Sequence, residues 1–365
     1  MEENFIKDSK IQTGPMMISL DITYRCTLRC LHCFNSSGEH NLGIEEMSDE
    51  NVLDVVRDIL ELKPNVICIC GGEPLLRKEL IYKIAKLLTD ESKNEIVVNM
   101  VTNGELVTRE VAQNLKDSGI SNIQVSLDGH CDELHDWIRN KKGSFKKAVQ
   151  AIKYLKECNL RVGVATTPTL RNINQIEKVV ELCEKLKVDE FRMQPLMLLG
   201  RAEQNLKDYM PEYNDYRKLA RYINKKKVNN VGTNKMQFDW GDPIDHLVRS
   251  KTRIDGYSHY VGINAYGDIT VSPYLPIKFG NIRRNSLLKY WNNGLSEAWG
   301  INLLRQIAEL PKSCSELDIT EINSNLPRVY KEKNIDLDLI KIKDINSVTL
   351  DNIHKYNLEG EFIYE

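Results

Sequence analysis

The sequence predicts an α/β chain: a partial (βα)6 TIM-like barrel followed by a C-terminal α+β extension. From Met17 to about Leu198, short apolar, β-branched runs alternate with amphipathic segments of helical length, the pattern of repeated βα units and a parallel sheet. The polar and glycine-rich motifs fall directly after the apolar runs, where such barrels carry their chemistry. Beyond Gly200 the alternation stops and gives way to one long helical stretch and a hairpin signal.

The strands are expected near 17–23, 66–70, 96–101, 122–127, 160–166 and 190–196, and the helices near 48–62, 76–89, 108–117, 144–157 and 173–187. Ser48 opens the first helix as N-cap, Asp49 and Glu50 suit its positive end, and Pro64 stops it. Helical text at about 211–227 ends in Lys225-Lys-Lys227, a solvated face, and runs into the polar and aromatic turn Phe238-Asp-Trp-Gly-Asp-Pro243. Tyr260–Asn264 and Asp268–Ser272 flank Gly267 as a hairpin. The expected divisions are an N-terminal arm 1–16, the barrel 17–200, the extension 201–310 and a charged tail 311–365 without clear periodicity.

With 365 residues the chain can bury a sizeable core, and a formal net charge of −2 with intermixed signs implies no nucleic-acid partner. The N-terminus is polar and no apolar run approaches membrane-spanning length, so neither a membrane segment nor a signal peptide is expected, and the location expected is cytoplasmic. Nine cysteines in a reducing compartment read as metal-binding or catalytic, not as disulfides.

Three of them stand in Cys26-Thr-Leu-Arg-Cys30-Leu-His-Cys33, just after the first strand. Thiolates at this spacing converge on one metal centre. Three cysteines on a [4Fe–4S] cube leave one iron open for chemistry. Completed by His32 or His40 they would instead make a structural Cys3His zinc site, and the chain a non-catalytic interaction protein. Cys68 and Cys70 within Val66-Ile-Cys-Ile-Cys70 read as small core residues, and Cys158 and Cys183 as helix packing; Cys131 has no partner spacing.

The cysteine loop, with His32 at the position before the last cysteine, resembles the signature of the radical S-adenosylmethionine (radical SAM) enzymes. Gly71-Gly72-Glu73-Pro74, Thr102-Asn103-Gly104 and Val125-Ser126-Leu127-Asp128-Gly129 follow in the family's order, so the resemblance runs from about Ile18 to Gly200. It implies a single [4Fe–4S] cluster on Cys26, Cys30 and Cys33, with S-adenosylmethionine (SAM) on the fourth iron. It further implies that the glycines of Gly71–Pro74 bring carbonyls to the SAM ammonium while Glu73 adds charge. Ser126 and Arg139 would meet the SAM carboxylate, an Arg fork suiting that group; His32 would touch adenine. Asn103 belongs to a turn common in any fold, and Asp128 either faces the ligand or caps the next helix. Thr166, Thr167 and Asn172 are expected near the ribose or adenine, and Gln194 at a site-facing strand end.

Gly280-Asn-Ile282, Ser286-Leu287 and Tyr290-Trp291 resemble the start of the SPASM or twitch extension of peptide maturases in this family. The chain departs from that pattern: Ser272 stands where the first auxiliary-cluster cysteine is expected, and only Cys314 follows. The resemblance thus implies an extension without its clusters and a ribosomally made peptide as substrate, or else a small molecule such as a sugar, nucleotide or cofactor precursor. A flavodoxin- or ferredoxin-type protein would deliver the electron.

Overall fold

The structure is a computed structural model and describes residues 14–40, 43–245, 247–248, 256–311, 326–327 and 332–356. Six strands, β1 (Met17–Asp21), β2 (Val66–Cys70), β3 (Val97–Thr102), β4 (Asn122–Ser126), β5 (Arg161–Thr166) and β6 (Glu190–Met193), pair in parallel in chain order. Helices α1 (Asp49–Leu62), α2 (Lys78–Glu91), α3 (Arg109–Asp117), α4 (Asp132–Arg139), α5 (Ser144–Glu157) and α6 (Ile176–Lys185) return between them. This is the partial TIM-like barrel expected.

Local chemistry sets the elements. Ser48 caps α1 by accepting from Asn51 N, and Asn51 reciprocates toward the Ser48 N–H. This capping box satisfies two otherwise orphaned donors. The helix ends at Lys63 in the left-handed region, one residue before Pro64. Its apolar stripe, Val52, Val55, Val56, Ile59 and Leu62, is buried against the sheet; each such side chain contributes roughly 1.5–3 kcal/mol of transfer free energy.

Alternation along the strands divides barrel wall from barrel interior. Ile67 and Ile69 are fully buried in the apolar cluster that the helices cover. Cys68 and Cys70 lie on the opposite face, partly exposed, with their sulfurs 3.3 Å apart. The core placement expected for these two cysteines is therefore corrected: they line the interior. Cys183 is buried on α6 as expected, Cys158 caps α5, and Cys131 is the N-cap of α4.

Two further elements depart from expectation. Helix α4 went unforeseen because its eight residues, DELHDWIR, four of them charged, are too few to show a period; it forms by burying Leu134, His135, Ile138 and Arg139. The turn expected at Phe238–Pro243 is in part a strand. Gln237–Trp240 is a strand, β7, paired in parallel with β6, so the barrel sheet continues past the division expected at 200. The Phe238 ring lies tilted against that of Phe191, centroids 5.9 Å apart, and this contact holds β7 in place after the long helix α7 (Tyr213–Asn230).

The expected hairpin forms. β8 (Tyr260–Ile263) and β9 (Asp268–Thr270) pair antiparallel around Gly267, whose φ of 85° suits glycine. β8 also pairs in parallel with β1, extending the sheet on that edge, and residues 280–281 add to β9. Part of the tail is described: Ile335–Asp336 pairs with Ile277–Lys278, and Arg284 bridges Asp336 and Asp338. Cys314 and residues 1–13 of the arm lie outside the described residues.

Candidate active site at the mouth of the barrel

The cysteine loop leaves β1 and is held from several sides by backbone and side-chain contacts. Gly72 N donates to Thr23 O at 2.7 Å and Glu73 N to Arg25 O at 2.9 Å, so the end of β2 runs against the loop. Only glycine fits there. A Cβ on Gly71 would lie 2.2 Å from Thr23 O, at φ +131°, and one on Gly72 would lie 2.3 Å from Arg25 O. On the other side Arg201 Nε donates to Cys30 O and its Nη1 to Ser37 O, while Arg201 N meets Cys33 O. Gly200 before it, at φ +57°, brings its backbone against Phe34 O. Arg201 was not singled out from sequence; the glycine ending the apolar run was its signal.

The three thiols are free and share this loop. Cys26 and Cys30 each receive a donor or a positive group, whereas the Cys33 thiol donates to Asn35 Oδ1 at 3.1 Å. Leu28 N lies 3.5 Å from the Cys26 sulfur, Asn103 Nδ2 3.8 Å from the same atom, and Arg139 Nη1 3.8 Å from the Cys30 sulfur. Burial pushes the Cys30 thiol up to about 11, opposed by the Arg139 charge. Such donors stabilise thiolates and suit a cluster held by three sulfurs. Two buried polar atoms beside them, His32 Nδ1 and Arg139 Nε, have no hydrogen-bond partner among the described residues; an added ligand would supply one.

The histidines do not complete a zinc site. His40 is bound to Tyr266 Oη at 2.9 Å and to Asn35 O, and His32 Nε2 lies 3.9 Å from Asp128. Burial and the nearby Arg139 charge hold His32 neutral, down at about 4.

Several expected ligand contacts are instead spent on the protein itself. Glu73 is fully buried and accepts from Leu75 N, Thr102 Oγ1 and Asn103 N at 3.1, 2.8 and 2.8 Å, which ties the second and third strand ends together. Burial raises it to about 7. Pro74 starts a 3-10 turn, Pro74–Arg77. Asn103 reaches back to Thr27 Oγ1 at 3.1 Å, steadying the cysteine loop. Asp128 does not cap α4. Its Oδ2 is 2.6 Å from Arg139 Nη2 and its Oδ1 accepts from Thr167 N, so it is the buried counter-ion of Arg139. Burial alone would raise Asp128, but Arg139, His32 and His135 together pull it below the usual carboxylate value.

Arg139 therefore does not present a free fork to a carboxylate: Nη1 and Nη2 are engaged by Cys30 and Asp128, and Nε alone remains. Thr166 Oγ1 donates to Leu127 O, and Asn172 Nδ2 to Asp128 O and Thr167 O, so these donors are committed within the protein. Ser126 ends β4 partly exposed, in register with Ala165. Gln194 faces the site as expected: its amide donates to Tyr274 Oη at 3.0 Å. Tyr274 comes from the extension and its ring meets Phe34 edge-on at 5.7 Å. Ser272 is buried and accepts from Tyr274 N, so a turn stands where a cluster ligand was expected.

A family model for the Radical SAM superfamily matches residues 20–186, which carry this loop and the strand ends around it. By this match residues 20–186 carry a radical SAM domain. Enzymes of that superfamily use a [4Fe–4S] cluster and SAM, which favours the cluster over the zinc alternative. Two relatives are similar over most of their length. An AdoMet-dependent heme synthase of Methanosarcina barkeri is 24% identical over 82% of this chain and 88% of its own. A PqqA peptide cyclase of Bradyrhizobium diazoefficiens is 24% identical over 85% and 80%. In fold the chain resembles SuiB of Streptococcus suis bound to S-adenosylmethionine, with a TM-score of 0.64 and 16% identity over 83% of this chain and 76% of that one. Among the described residues no helix is long and apolar enough to cross a membrane.

Proposed function

We propose that this radical SAM enzyme modifies a ribosomally made peptide, using one [4Fe–4S] cluster held by Cys26, Cys30 and Cys33. The observation that carries the reading is the placement of Tyr274, an extension residue, at the strand ends, its hydroxyl bound to Gln194 and its ring against Phe34 beside the cysteine loop. A maturase-type extension reaching the strand ends in this way suits a chamber for a guided chain segment. The likeness to SuiB, whose structure is also known with the precursor peptide SuiA, and to the PqqA peptide cyclase supports the same class.

When bound, the cluster and SAM supply a 5′-deoxyadenosyl radical that abstracts hydrogen from the substrate. The chain's own residues do the rest. Arg139 and Asn103 place donors on the cysteine sulfurs, Gly71 and Gly72 let the second strand support the loop, and Tyr274 with Phe34 would shield the mouth from water. Ser126, partly exposed at the end of β4, remains the polar side chain best suited to SAM, with Arg139 Nε beside the cysteines. A flavodoxin- or ferredoxin-type donor would deliver the electron.

Changing all three cysteines to alanine should remove iron, sulfide and SAM cleavage together; a full cluster spectrum in that variant would refute the ligation. Reconstituted protein should hold about four irons, the content of one cube. Anaerobic incubation with SAM, reductant and peptides encoded beside the gene, read by mass spectrometry, tests the substrate class. A second reading is favoured by the heme synthase relative: a small-molecule substrate of the tetrapyrrole kind. Conversion of a porphyrin and of no peptide would establish it.

A further inference from the structure

We propose that Arg192, inside the barrel, anchors a carboxylate of the substrate. The inference rests on reading the barrel interior as the substrate chamber and adds a chemical requirement on what enters it.

On β6, Phe191 and Met193 are fully buried on the helix side, so Arg192 and Gln194 share the interior face. Arg192 stands level with Ala165 and, through it, with Ser126 at the SAM end of the site. Gln194, one step nearer the mouth, binds the Tyr274 hydroxyl, and the Arg192 charge lies close enough to Tyr274 to act on its phenol. The guanidinium packs over Gly241: a Cβ there would lie 2.6 Å from Nη2 and 2.7 Å from Nε. The chain has thus kept a side chain out of the space that the arginine fork occupies.

The Arg192 side chain forms no hydrogen bond or ion pair with any described residue, although it is partly buried. The other arginines of the site are satisfied: Arg139 by Asp128, and Arg201 by Glu39 and two carbonyls. The acids near Arg192 are taken elsewhere. Its register neighbour Asp239 pairs with Lys227, Glu190 lies 3.7 Å from Arg161, and Asp242 Oδ1 accepts from Ile244 N. A permanently charged fork left open in a sheltered chamber costs free energy until a planar anion completes it, and a carboxylate matches it with two parallel bonds. The carboxylate can belong to a glutamyl or aspartyl side chain of a peptide or to the acid arm of a small molecule; the recognition chemistry is shared.

The experiment measures equilibrium binding to the full chain, anaerobic and SAM-loaded, with two matched pairs of probes. One pair is a short glutamyl peptide and its glutaminyl twin; the other is mesoporphyrin and its dimethyl ester. In at least one pair the free acid should bind about tenfold more tightly, as a charge-assisted bond requires, and the pair that shows it identifies the source of the carboxylate. Arg192→Gln should abolish that preference, and Arg192→Lys should keep part of it. Gly241→Ala, which pushes on the guanidinium without removing its charge, should weaken it. Absence of a preference in both pairs, or its persistence in Arg192→Gln, overturns the proposal. Iron content and circular dichroism of each variant keep the outcomes separate: normal iron with no acid preference sinks the anchor alone, whereas missing iron sinks the cluster reading.

Discussion

Asp128 Oδ2 lies 2.6 Å from Arg139 Nη2, both side chains are buried, and the same guanidinium reaches the Cys30 sulfur at 3.8 Å. The pair therefore couples the fourth strand end to the cysteine loop. Removing one partner leaves the other charge buried and alone, which costs roughly 3–5 kcal/mol. Asp128→Asn should lower the anaerobic thermal midpoint and the iron retained after reconstitution. Arg139→Met should cost a similar amount. The double variant should lose less than the sum of the two, since no orphan charge remains; strict additivity would show that the pair is not coupled.

Gly71→Ala tests the second support of the loop. The added methyl meets Thr23 O at 2.2 Å, a backbone atom that cannot swing aside, at a φ of +131° that only glycine tolerates. Strain of this kind costs about 1–3 kcal/mol and falls on the start of the cysteine loop. The expected outcome is retained helical ellipticity with a reduced iron-to-protein ratio. A variant that binds iron like the parent would show that the loop does not depend on this close approach.

The barrel was legible because burial repeats with period two on each strand and with helical spacing between them, and because Ser48 and Pro64 punctuate the first helix chemically. The cysteine loop was legible as a metal site from its spacing, and as a cluster site only through the motifs that follow it. What the sequence did not reveal is where polar groups spend their hydrogen bonds. Glu73, Thr166 and Asn172 look like ligand contacts in a motif, yet their partners are Asn103 N, Leu127 O and Asp128 O, all distant in the chain. Likewise Gln237–Trp240 reads as a turn because Gly241 and Pro243 follow it; its strand state comes from pairing with β6, a tertiary effect that no local pattern carries.

Asp21 gives a pH test away from the cysteines. It ends β1 beside Tyr24, and burial raises its carboxyl to about 6 from 3.8, with the Tyr24 bond opposing. Cys70 and Tyr260 also sense its charge. Because the folded value is raised, the unfolded chain ionises first. Stability from this group is fully present below about pH 4 and is lost as pH rises through about 6. Relative to Asp21→Asn, the parent should lose about 3 kcal/mol across that window. Equal pH dependence in the two proteins, followed by urea unfolding, would remove the buried-acid assignment.

Tyr274 tests whether the extension covers the site or only buries surface beside it. Its hydroxyl accepts from Gln194 and its ring meets Phe34, so it joins the extension to both the sixth strand and the cysteine loop. Tyr274→Phe keeps the ring and loses one bond, at a cost of about 1 kcal/mol. Tyr274→Ala opens the mouth and, as a large-to-small change, costs roughly 3–5 kcal/mol. A covering role predicts that the reconstituted alanine variant bleaches in dioxygen faster than the parent, while the phenylalanine variant bleaches at nearly the parental rate, because water and gas are excluded by the ring and not by the hydroxyl. If both variants bleach like the parent while Tyr274→Ala alone is destabilised, the residue packs the extension onto the barrel without closing it.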